Sequence, residues 1–184
     1  GVQTCALPIC WKEGRLSTGF IAEEYPQGFS PLVATGETAH VMASIAASID
    51  HVMNERKRQI TGQMRTQKIV SFSRERSVQL GVARYDVVID EADGALLVRF
   101  EDESGHAHHV SSDWVPGEPV WRGVVDGEPT AAQVRPILNG VALAHRGVSV
   151  EARVYTRREA DLARSEEHTS ELQSHHDLVC RLLL

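Results

Sequence analysis

From about residue 74 onward the chain alternates polar and apolar residues in short stretches separated by glycine-containing turns, and this pattern restricts the fold most strongly. Asp-Gly and Asn-Gly pairs favour tight hairpins because both residues can adopt positive φ. The turn pairs are Asp93-Gly94, Ser104-Gly105, Pro116-Gly117, Asp126-Gly127, Asn139-Gly140 and Arg146-Gly147. They predict eight antiparallel strands, at Arg74–Leu80, Arg84–Asp90, Ala95–Phe100, His106–Trp114, Pro119–Val125, Glu128–Leu138, Val141–His145 and Val148–Tyr155.

A long helix precedes these strands. From Gly36 to about Gln59, apolar residues recur at steps of three and four, which is the period of a helix with one buried face. Thr35 is a suitable N-cap, and Gly62 is a suitable stop. Small residues such as Ala43, Ser44 and Ala47 lie on several faces of this helix, so close packing on more than one side is expected.

The two patterns together predict the fold class. Closing an eight-stranded meander removes its exposed edges, and one long apolar helix supplies the surface that the inner face of the sheet has to bury. We predict an α+β fold in which a long central α-helix packs in an eight-stranded antiparallel β-barrel. The net charge of −6 does not favour nucleic-acid binding, and no apolar stretch approaches the roughly 20 residues of a membrane-spanning helix.

The two termini do not resemble the rest of the chain. DNA encoding Gly1–Ile9 can be the reverse complement of DNA encoding part of Arg164–Ser174, as expected of a translated sequencing adapter. We therefore expect residues 1–10 and 164–184 to be adapter-derived tails and exclude them from fold prediction. The C-terminal tail holds residues that could be mistaken for the catalytic set of a hydrolase: His168, Ser170, Glu171, His175 and His176. All three cysteines of the chain also lie in the tails, at Cys5, Cys10 and Cys180.

The segment between the helix and the first strand fits neither pattern. It mixes apolar with basic side chains, which suits a docking loop, although a connector that tucks its apolar residues onto the barrel has the same composition. The candidate partner-binding residues are Gly62, Gln63, Met64, Arg65, Thr66, Gln67, Lys68, Ile69, Val70, Ser71 and Phe72.

A metal site is the other candidate. His106 and His108 would share one face of a strand, and Glu101 or Asp113 could supply a third ligand, although solvent-facing histidines fit the pattern better. Acidic residues at hairpin ends resemble solvated turns more than a catalytic pair, and no nucleophile-elbow, P-loop or dinucleotide motif is present. The residues alone therefore favour a binding or assembly module, either a bridging domain or a small barrel that binds a ligand or metal.

Several segments resemble a known family. Leu16–Phe29 (LSTGFIAEEYPQGF) is similar to the end of the biotin carboxylase domain in propionyl-CoA carboxylase alpha subunits, which are biotin-dependent acyl-CoA carboxylases. The resemblance continues, in the same order, through Ile60–Met64, Val110–Gly117, Val125–Gly127 and Val154–Arg157.

The resemblance implies both an organisation and a function. Residues 11–30 would be the C-terminal remnant of a biotin carboxylase domain, and residues 31–163 would be a BT domain, a helix surrounded by a barrel. The BT domain would join the alpha subunit, with its own biotin carboxylase and biotin carrier domains, to the carboxyltransferase beta subunit, and residues 62–72 would be the hook that makes part of this contact. The parent enzyme would use ATP, Mg²⁺, bicarbonate and biotin in the bacterial cytoplasm, whereas this fragment, which has no Met-Lys-Met biotin motif, would be non-catalytic and hold no cofactor.

Overall fold

A computed structural model describes residues 14, 19, 32–59, 72–92, 94–102 and 105–164. The chain divides into two compact units, Gly1–Leu32 and Val33–Leu184, and the described residues fall almost entirely in the second. Residues 1–10 and 165–184 lie outside the described residues, as does the segment 11–30 apart from two glycines. The assignment of these segments stays a prediction.

The predicted helix and strands are present with nearly the predicted bounds. Helix α1 spans Gly36–Gln59. The eight strands are β1 Glu75–Leu80, β2 Ala83–Ala92, β3 Ala95–Phe100, β4 Ala107–Ser112, β5 Val120–Val125, β6 Glu128–Ile137, β7 Gly140–His145 and β8 Val148–Tyr155. A second helix, α2, covers residues 157–164 and was not predicted.

The strands form one closed antiparallel barrel. Each strand pairs with the next in sequence, and β1 closes the sheet by pairing with β8, with Ser77 opposite Tyr155. The predicted turns at Asp126-Gly127 and Arg146-Gly147 are two-residue hairpin loops in which both residues have positive φ, 52° and 85° in the first and 47° and 81° in the second. Closure leaves no unpaired edge in this sheet, which is the property that motivated the prediction.

One predicted turn is displaced by a residue. Ile137 pairs with Gly140, so the loop between β6 and β7 consists of Leu138 and Asn139, and Gly140 is the first residue of β7. A Cβ at Gly140 would lie 2.3 Å from the backbone oxygen of Ala152 on β8. Glycine is needed at position 140 because the strands approach closely there, and Asn139, with φ of 57°, supplies the left-handed residue of the turn.

The helix is buried on all sides over two turns. Residues 42–49 are each at most 4% exposed, and α1 contacts β1, β3, β4, β7 and β8, which lie on different sides of the barrel. An eight-stranded barrel normally has room inside only for side chains. Ala43, Ala46 and Ala47 let the helix backbone approach the strands closely, and Met42 fills space with a flexible side chain. Met53, by contrast, is 37% exposed, because the last turns of α1 are less covered than its middle.

Candidate functional site

Charged side chains gather where α1 ends and β1 begins. We call this region the connector end and define it by Asp50, Arg76 and Glu91. Gln59 at the end of α1 and Phe72 before β1 flank residues 60–71, and Phe72 lines the same cleft as these three side chains.

Arg76 fastens the helix to the start of the barrel. The residue is only 5% exposed, and its Nε donates a hydrogen bond of 2.9 Å to Asp50 Oδ2 on α1. Its Nη1 donates to the backbone oxygens of Ser73 and Glu75, the second at 3.0 Å. One guanidinium therefore holds both the helix and the chain that enters β1.

Asp50 is part of a polar network along α1. Asn54 Nδ2 donates to Asp50 Oδ2 at 2.8 Å, and Lys57 Nζ donates to Asn54 Oδ1 at 3.3 Å. Burial raises the pKa of the Asp50 carboxyl above its usual value, although the hydrogen bond and positive charge of Arg76 oppose this shift. Desolvating this carboxylate therefore offsets part of what the ion pair contributes.

Asp50 lines two clefts at the connector end. The first, of about 460 Å³, is lined by both charge signs, with Glu55, Arg58 and Arg74 around the Asp50–Arg76 pair, and it includes half-buried Phe72. The second, of about 580 Å³, is more apolar and is lined by Met53, Val141 and Val154 among others. A partner that docks here would meet a mixed surface, which is typical of protein–protein contacts.

Most of the predicted hook falls outside the described residues. Gly62, Gln63, Met64, Arg65, Thr66, Gln67, Lys68, Ile69, Val70 and Ser71 are outside them, whereas Phe72 lies at the polar cleft. The role of these residues in docking stays a prediction. The Arg76–Asp50 anchor was not found from the sequence because its partners are 26 positions apart and no spacing connects them.

The histidines are arranged differently from the metal site considered in the sequence. His108 is buried, with 3% exposure, and faces into the barrel, whereas His106 is exposed and lies before β4. Within the described residues, the groups with metal-binding geometry are Glu37, His40 and His108, and separately His51, Glu55 and Glu91. Neither Glu101 nor Asp113 belongs to these groups.

Two of the acidic residues near hairpin ends, Asp90 and Glu101, are engaged in ion pairs. Asp90 pairs with Arg74 at 3.0 Å and also with Arg99, and Glu101 pairs with Arg157. Arg74 precedes β1, Arg99 lies on β3 and Arg157 begins α2, and all three side chains are at least 45% exposed, so these carboxylates form solvated ion pairs and not an isolated catalytic pair.

Two tryptophans pack into the barrel in the described part of the chain. Trp121 is 1% exposed in the core, and Trp114 is 7% exposed with its indole Nε1 donating to the backbone oxygen of Glu118 at 3.1 Å. In the described part of the chain, no helix is both long enough and apolar enough to span a bilayer.

Comparison with known proteins places this architecture in a sequence family. The propionyl-coenzyme A carboxylase BT domain matches residues 42–165, which cover α1 from Met42 and the complete barrel. The chain is also 33% identical over 151 residues to the propionyl-CoA carboxylase alpha chain of Ruegeria pomeroyi. This match covers 82% of the chain and 22% of the relative, so the chain spans about a fifth of the length of the curated relative it matches.

Proposed function

Because the chain belongs to the BT-domain family of propionyl-CoA carboxylase alpha chains, we propose that it is a non-catalytic subunit-bridging domain. In this role it docks the alpha subunit of a biotin-dependent acyl-CoA carboxylase onto the carboxyltransferase beta subunit. Propionyl-CoA is the proposed acyl substrate of the parent enzyme, in line with the name of the matched relative.

The match to the BT-domain family is the observation that carries this proposal. The connector end supports it, because Arg76 links Asp50 on α1 to the backbone at the entry to β1, directly after residues 60–72. Holding this flank of the hook in place reduces the conformational entropy lost on binding, and this lowers the free-energy cost of docking. In the proposal, α1 lies along the barrel axis and acts as the rigid support of the hook.

The chemical steps of the parent would belong to other parts of the alpha chain. ATP, Mg²⁺ and biotin would bind to the biotin carboxylase and biotin carrier domains, and the sequence here contains no Met-Lys-Met biotin motif. We place the assembled enzyme in the bacterial cytoplasm. The role of the present domain would be to hold the beta subunit within reach of the carrier.

Binding to a cognate carboxyltransferase beta subunit tests the proposal. Replacing residues 62–72 with a Gly/Ser linker of equal length is expected to weaken binding at least tenfold, about 1.4 kcal/mol, in surface plasmon resonance. An unchanged affinity in a variant that retains its melting temperature would refute the hook assignment.

Two exposed apolar residues provide a matched pair of single substitutions. Leu138, 83% exposed, lies in the turn beside Asn139 and the apolar cleft of the connector end, whereas fully exposed Val82 lies at the far end of β1. We expect Leu138→Ser to weaken binding to the beta subunit and Val82→Ser to leave it unchanged. Equal effects of the two substitutions would mean that docking does not use the connector end.

A further inference from the structure

A group of potential metal ligands lies around the first turns of α1, away from the connector end. We call it the histidine end and define it by Glu37, His40 and His108. Glu37 and His40 are three residues apart on α1 and therefore share a helix face. His108 comes from β4, and one ligand atom from each residue lies within 4.8 Å of the other two.

Asp126 fixes the orientation of the His108 ring. His108 Nδ1 is 2.5 Å from Asp126 Oδ2, and the backbone N–H of His109 donates to Asp126 Oδ1 at 2.7 Å. The Asp126 carboxylate therefore accepts through both of its oxygens, and His108 Nδ1 is the donor to Oδ2.

The second nitrogen of His108 has no partner. Nε2 is buried and makes no hydrogen bond within the described part of the chain. A buried polar atom without a partner is unfavourable and rare in folded proteins. With Nδ1 engaged by Asp126, Nε2 is the ring nitrogen that remains available to the group with Glu37 and His40.

The arrangement matches the outer coordination shell of known metal sites. Metal-ligating histidines usually donate their other ring N–H to a carboxylate, which fixes the tautomer and strengthens the ligating nitrogen. Asp126 occupies this position relative to His108. Phe100 lies against both histidine rings, with centroids 4.7 Å from His40 and 5.7 Å from His108, so one side of the group is apolar.

We propose that Glu37, His40 and His108 bind one divalent transition-metal ion, for which Zn²⁺ is the best match. Two imidazole nitrogens and one carboxylate oxygen are a common zinc ligand set, with water in the fourth position, whereas Mg²⁺ and Ca²⁺ require more oxygen ligands. Ligand atoms of a tetrahedral site with bonds of roughly 2 Å lie about 3.3 Å apart. The three ligand atoms already lie within 4.8 Å of one another, so small side-chain rotations would bring them to that spacing.

The ion would clamp the start of α1 to β4. Its ligands come from the first turns of the helix and from a strand that contacts it, so binding adds a link between these two elements. The site is independent of the proposed docking role, because Asp50 is ten residues beyond His40, about 15 Å along the helix axis.

Titration of the full chain with Co²⁺, followed by competition with Zn²⁺, tests the site. Tetrahedral cobalt has a characteristic visible absorption that reports on coordination geometry. Because His168, His175 and His176 could bind metal on their own, the test uses the chain with all three replaced by alanine. We expect one equivalent of Co²⁺ to bind with a tetrahedral spectrum, and Zn²⁺ to displace it and raise the melting temperature.

Single substitutions assign the ligands. Glu37→Gln, His40→Gln and His108→Gln should each weaken Co²⁺ binding at least tenfold, and Asp126→Asn should weaken it 10- to 100-fold through the orientation of His108. Glu37 is exposed, so Glu37→Gln remains informative if a buried variant fails to fold.

Two further variants serve as controls. His109→Ala changes an exposed histidine on the same strand, and His51→Ala disrupts the other candidate group; neither should alter binding. The proposal is overturned if Glu37→Gln and His40→Gln bind Co²⁺ as tightly as the parent chain, or if His51→Ala abolishes binding. The outcome does not depend on affinity for the beta subunit.

Discussion

The two ends of α1 are held by different chemistry. At the connector end, a buried guanidinium pairs with Asp50 and hydrogen-bonds to two backbone oxygens. At the histidine end, the rings of His40, Phe100 and His108 pack together, and Phe100 and His108 meet edge to face at 90°. The connector-end hydrogen bonds join α1 to the start of β1, whereas at the histidine end α1 meets the barrel through packed rings, and the hydrogen bonds of Asp126 there join β4 to the turn after β5. A charged anchor fixes the geometry of a departing segment more closely than apolar contacts alone would.

Removing the Arg76 side chain should cause the largest loss of unfolding free energy at either end of α1. Arg76→Ala leaves the carboxylate of Asp50 without its main partner in a largely buried position, and the loss is expected to be about 3–5 kcal/mol of unfolding free energy. Urea denaturation monitored by circular dichroism measures it.

The double variant Arg76→Leu with Asp50→Leu shows whether the stability loss in Arg76→Ala comes from the unpaired Asp50 charge or from lost side-chain packing. Replacing both partners with apolar residues removes the unpaired charge, so the double variant should be more stable than Arg76→Ala. If Arg76→Ala loses less than about 1 kcal/mol, the connector end is not anchored as described.

Substituting alanine for either of two glycines, one at each end of the comparison, should cause an intermediate loss of stability. At the connector end, Gly140→Ala places a Cβ 2.3 Å from the Ala152 backbone oxygen, so β7 and β8 must separate, and we expect a loss of about 2–3 kcal/mol. At the far end of β1, Gly81 has φ of 56° and its added Cβ meets only Val150 Cγ2, at 3.4 Å. Gly81→Ala should therefore lose about 1–2 kcal/mol through backbone strain alone.

Amide hydrogen exchange separates these two causes. Gly140→Ala should speed exchange in β7 and β8, whereas Gly81→Ala should leave those strands protected. Uniform exchange changes in both variants would argue against a local close approach at Gly140.

The smallest expected effect concerns the start of α2 at the connector end. Thr156 and Glu159 form a capping box: the Thr156 N–H donates to Glu159 Oε2 at 2.8 Å, and the Glu159 N–H donates to Thr156 Oγ1 at 3.3 Å. Thr156→Ala should lower the unfolding free energy by about 1 kcal/mol. Arg158→Ala, an exposed change in the same helix, should have almost no effect.

The capping box also predicts a pH dependence. Hydrogen bonds from the Thr156 backbone and hydroxyl lower the pKa of Glu159 in the folded chain. Its contribution to stability is therefore complete above the unfolded pKa of about 4.3 and is lost as the pH falls through the folded pKa. The stability difference between the parent chain and Glu159→Gln should shrink between pH 7 and about pH 3. A difference that grows on acidification would contradict the capping role.

The sequence determined the elements of this fold better than its contacts. Strand alternation and turn pairs located all eight strands, and the helical period located α1, because these signals are local. The turn before β7 was predicted one residue too late because Gly140 was interpreted as a turn residue. It is a strand residue that must be glycine because β8 passes close to it, and the sequence does not distinguish these two reasons for a glycine. Helix α2 was missed although Thr156 and Glu159 carry the capping-box spacing.

Long-range contacts at both ends of α1 had no sequence signal. Asp50 and Arg76 are brought together only by the path of the chain, and Glu37 and His40 approach His108 only where α1 packs against β4. The sequence pattern pairs His106 with His108 because they are two residues apart. In the structure, His108 is instead grouped with Glu37 and His40 from the helix that packs against its strand. The composition of residues 62–72 suits both a docking loop and a connector, and the family resemblance is what favours the hook.

Hydrogen–deuterium exchange of the chain with and without the carboxyltransferase beta subunit tests the bridging role most directly. The account predicts new protection in residues 60–74 and in the turn at Leu138 and Asn139, with unchanged exchange around Val82 and His106. Protection confined to the histidine end, or no protection at saturating beta subunit, would contradict it.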